Sequence, residues 1–413
     1  PVLEKLFLNR WSSLDGLGAL IILPTRELAI QVFEVVRTLG KYHDFSLGLV
    51  IGGNNLEKEQ NVLYNMNILV ATPGRILQHI SETPYFNLEN LQILVIDEAD
   101  RILDEGFADD LSEILKYLPD SKQTLMFSAT LTKDIKSLAK LNLRCPEHIS
   151  INNIENLAMM NNEEHLKSDK LSKINLNLKS GTGKPTETTE ELNSEILKVQ
   201  SSDLMTPKNL QQFYTIVEAD KKIDTLYSFL NTHKNSKIIV FLSSCKQVRF
   251  YYEAFKRMKL GFHFLELHGG QKQNKRTAIF YCFLEKNNTV LFATDIAARG
   301  IDFPSVNWVV QVDAPEDVQT YIHRVGRTAR YKSSGSSLLF LSESEKEYLS
   351  IFEKKNLPVK HIKINRDKVV NMQPILRSIL SENPDILYLA QRAIISYIKS
   401  IAYQPNKKIF DFN

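Results

Sequence analysis

The sequence predicts an α/β protein with two doubly wound parallel-sheet domains in tandem and a small helical C-terminal extension. Three observations predict it. Short runs dominated by Leu, Ile and Val recur along most of the chain, as expected of strands buried on both faces of a parallel sheet. Apolar residues at helical spacing fill the stretches between those runs. One long polar stretch without any aromatic residue divides the series in two. At 413 residues, 43% hydrophobic and 24% charged, the chain is long enough for two sizeable cores and has the balance of a soluble globular protein.

The first domain is expected over residues 1–150. Its strands are read at LGALIIL (17–23), SLGLVI (46–51), NILVA (67–71), LQILVI (91–96) and TLMF (124–127). The helix at 25–39 carries Leu28, Val32, Val35 and Val36 on one face. Residues 151–209 lack Phe, Tyr and Trp and are rich in Asn, Glu, Lys, Ser and Thr. Such a composition buries too little apolar surface to offset chain entropy, so a disordered linker or insertion is expected there. A second domain over 210–355 repeats the alternation through QFYTIV, KIIVFLS, FHFLEL, TVLFAT, VNWVVQV and SLLFL. Past Ser350 the pattern reads as helical, and MQPILRSIL and LYLAQRAIISYIKSIAY predict two or three helices over 356–413.

Composition excludes several functions. No apolar run is long enough to span a membrane as a helix, and a net charge of +3 leaves nucleic-acid contact to local patches. Cys145, Cys245 and Cys282 are scattered without a CxxC or a histidine cluster, which argues against zinc and disulfides and fits a reducing compartment. The chain begins on Pro1 and reads as trimmed at both ends. In the linker, Ser180-Gly181-Thr182-Gly183-Lys184 imitates a phosphate-binding loop. It lacks the opening Gly, and Pro185 stands where a Ser or Thr would reach Mg²⁺.

The chemistry gathers at predicted strand ends. Asp97-Glu98-Ala99-Asp100 follows LQILVI directly, at the edge where open α/β sheets bind ligands. Of two adjacent carboxylates there, one can hold Mg²⁺ and the other can polarise a water that attacks phosphate. A solvated acidic turn is the bland alternative. Ser128-Ala129-Thr130 ends the next strand and can hydrogen-bond the acidic cluster. Pro24-Thr25-Arg26-Glu27-Leu28-Ala29 opens a helix whose first N–H groups suit an anion. Gly52-Gly53 and Thr72-Pro73-Gly74-Arg75 repeat that device. In the second domain, Arg324, Arg327 and Arg330 recur every three residues, which predicts one strongly positive helical face. Such a face is either solvated or reaches a phosphate. Asp295, after TVLFAT, is placed to hold a ribose hydroxyl, and Thr294 a nucleic-acid phosphate.

Together these segments resemble the DEAD-box RNA helicases of superfamily 2. The resemblance rests on PTRELA (24–29), GG (52–53), TPGR (72–75), DEAD (97–100), SAT (128–130), VFLSS (240–244), QKQNKR (271–276), ATDIAARGID (293–302) and HRVGRTAR (323–330), in family order across about 1–150 and 210–355. It implies two RecA-like domains that use ATP and Mg²⁺ to unwind RNA locally. Asp97 would position the metal, with Glu98 beside it polarising the water. Arg327 and Arg330 would reach the γ-phosphate, and His323 would bridge the domains. Asp295, Ser128 and Thr130 would serve the nucleotide. Thr25, Arg26, Gly53, Thr72 and Arg75 would grip RNA on one side, and Gln273, Arg276 and Thr294 on the other. Such backbone contacts imply sequence-independent binding that weakens with salt. The flanks DGLGALII and RILDEGF and the helical tail resemble the branch acting in ribosome biogenesis. That implies pre-rRNA or pre-ribosomal particles as partner, a nucleolar location, and a monomer with no membrane contact. The family's P-loop and its adenine-reading Gln motif are absent from the sequence, so the 413 residues alone are expected to be inactive. The alternative reading is a catalytically dead RNA-binding scaffold. A nuclease or DNA-directed relative is disfavoured by the lack of an accompanying metal cluster.

Overall fold

The computed structural model describes residues 1–129, 206–207, 209–297, 303, 305–330, 333–365 and 369–410, with the isolated positions 138, 143, 147 and 149. Thr130, the loop mimic at 180–184 and all of the expected linker except 206, 207 and 209 lie outside the described residues. The described residues of 1–129 and 206–410 belong to one compact unit.

The first sheet begins after α1 (Val2–Leu8), whose Leu6 is buried beneath it. β1 (Ala19–Ile22) leads through Thr25 into α2 (Arg26–Leu39). There the Thr25 hydroxyl accepts the Leu28 amide at 3.3 Å, as an N-cap should. β2 (Leu47–Val50), α3 (Leu56–Leu63), β3 (Ile68–Ala71) and α4 (Pro73–Glu82) follow, Pro73 occupying the helix position that needs no N–H. β4 (Ile93–Ile96), α5 (Ala99–Asp104), α6 (Ala108–Lys116) and β5 (Gln123–Met126) complete this part. The strands are parallel, in the order β2-β3-β1-β4-β5. β1, β3 and β4 are buried at all four positions, which is why their sequences show no alternation. The chain fills β2 and β3 on one side of β1 and then crosses to β4 and β5 on the other, so a topological switch lies beside β1. All five C-terminal ends share one edge of the sheet.

The second sheet starts with β6 (Leu210–Ile216), α7 (Lys222–Thr232), β7 (Ile238–Phe241), α8 (Cys245–Arg257) and β8 (His263–Leu267). It continues through α9 (Gln273–Glu285), β9 (Thr289–Ala293), β10 (Trp308–Gln311), α10 (Val318–Val325) and β11 (Gly335–Leu341). Six of its seven parallel strands run β6-β11-β10-β7-β9-β8, and the seventh lies outside β6. Both faces are covered. Ile238 and Val240 of β7 enter one core cluster, whereas Ile239 and Phe241 enter the other.

After α11 (Glu347–Lys354) the structure departs from the expected helical run. Val359–His361 form β12, pairing in parallel with β6. Pro358 interrupts a helix here, and an edge strand needs few apolar residues, so periodicity gives no warning of it. Helices return as α12 (Gln373–Glu382) and α13 (Pro384–Tyr403). Ile379, Ile386, Ala390 and Ala393 from these two helices join the core cluster of β7 and α8. No helix among the described residues is long and apolar enough to cross a membrane.

Candidate functional site

β4 delivers its acidic turn to the sheet edge with both neighbours holding the backbone. The Asp97 amide donates to Ile22 O at 3.0 Å, beside β1, and the Ala99 amide to Phe127 O at 2.9 Å, beside β5. Between them Glu98 adopts a left-handed conformation (φ 49°, ψ 51°), which an L-residue with a side chain enters at a cost of about 1–2 kcal/mol. Strain of this kind is held by the surrounding bonds and is concentrated at functional sites. Asp97 Oδ1 accepts the Glu98 amide at 2.9 Å, which leaves Oδ2 for a cation. Burial pushes the Asp97 carboxyl above its ordinary range; the Glu98 amide opposes this and the Asp100 charge adds to it. A half-buried carboxylate beside a second acid gains from a divalent ion. Mg²⁺ uses one or two carboxylates and otherwise water and phosphate oxygens, so the residues present fit it. Ser128 lies half-buried just past β5.

The second sheet contributes α10 and the segment after it. Arg324, 2% exposed, donates from Nε and Nη2 to Asp295 Oδ1 and Oδ2 at 2.6 and 2.9 Å. Its Nη1 reaches Asp313 O at 2.9 Å. This corrects the expectation of one positive face. α10 ends at Val325, so Arg324 turns into the core while Arg327 and Arg330 lie beyond the helix. Arg327 Nε donates to His323 O at 3.1 Å and Arg330 Nε to Gly326 O at 2.9 Å, each reaching back to a carbonyl near the helix end. His323 and Arg327 are buried. Gln319, in the first turn of α10, donates to Asp100 Oδ2 at 3.4 Å and so brings the arginine-bearing segment against the acidic turn.

At the other expected site, the first-sheet residues Thr25, Arg26, Gly53, Thr72 and Arg75 stand at the ends of β1, β2 and β3. The Arg26 guanidinium lies against the glycine pair. A Cβ on Gly52 would come within 2.8 Å of Arg26 Nη2, and one on Gly53 (φ +92°) within 2.8 Å of Nη1. Gln273 and Arg276 of α9 are brought to the same region, against a residue that sequence reasoning passed over. Glu27 accepts from Gln273 Nε2 at 2.9 Å and from Arg276 Nη2 at 2.6 Å. Glu27 stands inside PTRELA, but its partners are 246 and 249 positions away, so no local pattern marks them. Thr294 follows β9, its amide bonded to Leu267 O at 3.3 Å.

Two family models match this chain: DEAD/DEAH box helicase over residues 1–138 and helicase conserved C-terminal domain over 221–332. Fold, acidic turn and facing arginine segment thus define a two-domain helicase core. The chain is 46% identical over 412 residues to the ATP-dependent RNA helicase DBP4 of Mycosarcoma maydis, covering all of this chain and 40% of that protein. It is 46% identical over 411 residues to the probable ATP-dependent RNA helicase DDX10 of Homo sapiens, covering 42% of it. Among solved structures, the DEAD-box helicase Mss116 bound to ssRNA and UDP-BeF matches with a TM-score of 0.76 at 25% identity, over 100% of this chain and 76% of that one. The chain belongs to the DEAD-box RNA helicase family. It spans about two fifths of the length of these curated relatives.

Proposed function

We propose that this chain carries the hydrolytic and RNA-gripping machinery of an ATP-dependent RNA helicase, one that unwinds short duplexes or remodels RNA–protein particles. The observation that carries this reading is the Gln319–Asp100 contact, which sets the arginine segment of the second sheet against the acidic turn of the first. In the reaction, water attacks the γ-phosphorus and the bond to the ADP oxygen breaks. Glu98 orients and polarises that water. Arg327 and Arg330 stabilise charge on the γ-phosphate oxygens, a role worth about 10³–10⁵ in rate in comparable systems. Asp97 and Glu98 would hold Mg²⁺, which when bound would neutralise phosphate charge. Asp295, Ser128 and Thr130 serve the nucleotide, and His323 bridges the two sheets.

RNA is gripped through its backbone by Thr25, Arg26, Gly53 and Thr72, beside Arg75 in the same loop group, with Gln273, Arg276 and Thr294, so affinity falls with salt and ignores sequence. The substrate we infer is precursor ribosomal RNA within pre-ribosomal particles, met in the nucleolus by a monomer. The 413 residues contain no GxxxxGK[ST] sequence to cradle the β- and γ-phosphates, so turnover by this chain alone is expected at background. The test is Glu98→Gln in the full-length protein. RNA-stimulated ATP hydrolysis should vanish while ATP-dependent RNA binding persists. Retained hydrolysis sinks the role given to Glu98.

A further inference from the structure

Helix α3 carries none of the motifs above, yet its Glu59 is buried at the centre of a lock between two of the expected RNA loops. Glu59 Oε2 accepts from Arg75 Nε at 2.7 Å and from His79 Nε2 at 3.0 Å, and Oε1 accepts from Asn54 Nδ2 at 3.0 Å. Arg75 completes the ring, donating from Nη2 to Asn54 O at 2.8 Å and from Nη1 to Gln78 Oε1 at 3.0 Å. Each guanidinium nitrogen of Arg75 is therefore engaged within the chain. His79 is fully buried, with Nδ1 2.8 Å from Thr83 Oγ1. A carboxylate only accepts, so Nε2 carries the proton toward Glu59, and in the neutral ring Nδ1 accepts from the Thr83 hydroxyl. Burial pushes the Glu59 carboxyl up, but hydrogen bonds from His79, Arg75 and Asn54 outweigh it and hold the group below its ordinary range. Asn54 directly follows the glycine pair on which Arg26 lies. The turn after β2 and the start of α4 are thus tied through one carboxylate.

We propose that Glu59 and His79 are positioning residues for RNA, setting the spacing between the Gly52-Gly53 turn and the Thr72-Pro73-Gly74 helix start. Arg75 acts through this lock and not as a phosphate ligand. The proposal rests on the reading that these loops grip RNA. It has a sign that simple electrostatics does not share. Removing a negative charge near phosphates should tighten binding, whereas releasing the lock weakens it.

The experiment measures affinity of the full-length protein for a fluorescent ten-nucleotide oligouridine, with a non-hydrolysable ATP analogue, across a salt series. Glu59→Gln and Asn54→Ala are expected to weaken binding about tenfold or more, as misplaced contacts do. His79→Gln, which keeps an N–H donor toward Glu59, should bind more tightly than His79→Leu. Arg75→Lys keeps the charge but loses the planar fork, and should fall with Arg75→Ala. Tighter binding by Glu59→Gln overturns the proposal. So does an Arg75→Lys that binds like wild type while Arg75→Ala lowers the salt slope by about 0.7, the loss of one phosphate contact on a single strand. If wild type binds no RNA, the RNA reading fails separately. The lock is then judged by amide exchange at Gly52, Gly53 and Asn54, which Glu59→Gln must accelerate and which, if unchanged, refutes it. Because Asn54 is exposed, its alanine variant keeps the test open if Glu59→Gln does not fold.

Discussion

Replacing Glu27 with Ala should release the second sheet from the first where α2 meets α9. The side chain is almost fully buried and takes a charge-assisted bond of 2.6 Å from Arg276 and a second bond of 2.9 Å from Gln273. Burial pushes the Arg276 guanidinium down from its ordinary range, an effect that Glu27 counters and Arg26 reinforces. A hydrogen bond to a charged group contributes about 1.5–3 kcal/mol, and a neutral amide donor gains similarly from a carboxylate. Deleting the carboxylate also strands a partly desolvated cation, so the total reaches about 3–5 kcal/mol. The equilibrium between joined and separated sheets should then shift by roughly 10² to 4 × 10³. Energy transfer between dyes at Tyr42→Cys and Tyr388→Cys, both on exposed positions, reads that equilibrium once Cys145, Cys245 and Cys282 have been replaced. A double-mutant cycle with Arg276→Ala isolates the pair. A coupling of about 1.5 kcal/mol or more is expected; less than about 0.5 kcal/mol would refute the assignment of Glu27 as the clamp.

Two further outcomes follow from buried charge. Asp97→Asn should raise thermal stability by about 0.5–2 kcal/mol, because burial disfavours the ionised carboxyl in the folded state. Its folded pKa lies above its unfolded one, so the destabilisation is complete above the folded pKa and disappears as pH falls below the unfolded value. Melting curves should show the variant's advantage at pH 7 shrinking toward acid, and a constant advantage would contradict the cause. Lys222 donates to Asp313 Oδ1 and to the Tyr397 hydroxyl, both at 3.0 Å, tying α7 to α13. Lys222→Met leaves the Asp313 charge buried with only the Ser243 amide and Gln247 Nε2 donating to it, and should cost about 3–5 kcal/mol in urea unfolding; Lys222→Met/Asp313→Asn, which removes the charge but keeps an acceptor for both donors, should recover part of it. No recovery in the double variant would show that the charge is not the source of the loss.

Much of the fold was legible because its causes are local. A central parallel strand must be apolar on both faces, so β1, β3, β4 and β7 announce themselves as runs of Leu, Ile and Val. Thr25 before α2 and Pro73 at the start of α4 follow from which helix N–H groups lack partners. β12 was not legible, since an edge strand of Val359, Lys360 and His361 carries no periodic signal. Nor was the left-handed Glu98, which is imposed by the bonds from Asp97 and Ala99 to the flanking strand ends.

By itself the sequence determined which chemistry stands at the strand ends. A strand–turn–helix junction is a short-range object, and its Gly, Thr, Asp and Arg residues are contiguous. Which charges meet was decided only by the tertiary structure. Arg324 looked like part of a positive face until the end of α10 turned it onto Asp295, 29 positions earlier. Glu27 finds Arg276 across 249 positions, and Glu59 finds Arg75 and His79 because the order β2-β3-β1 sets their loops side by side. Carboxylates and guanidiniums are interchangeable along a chain, and folding distinguishes them by leaving each buried charge the partner that repays its lost hydration.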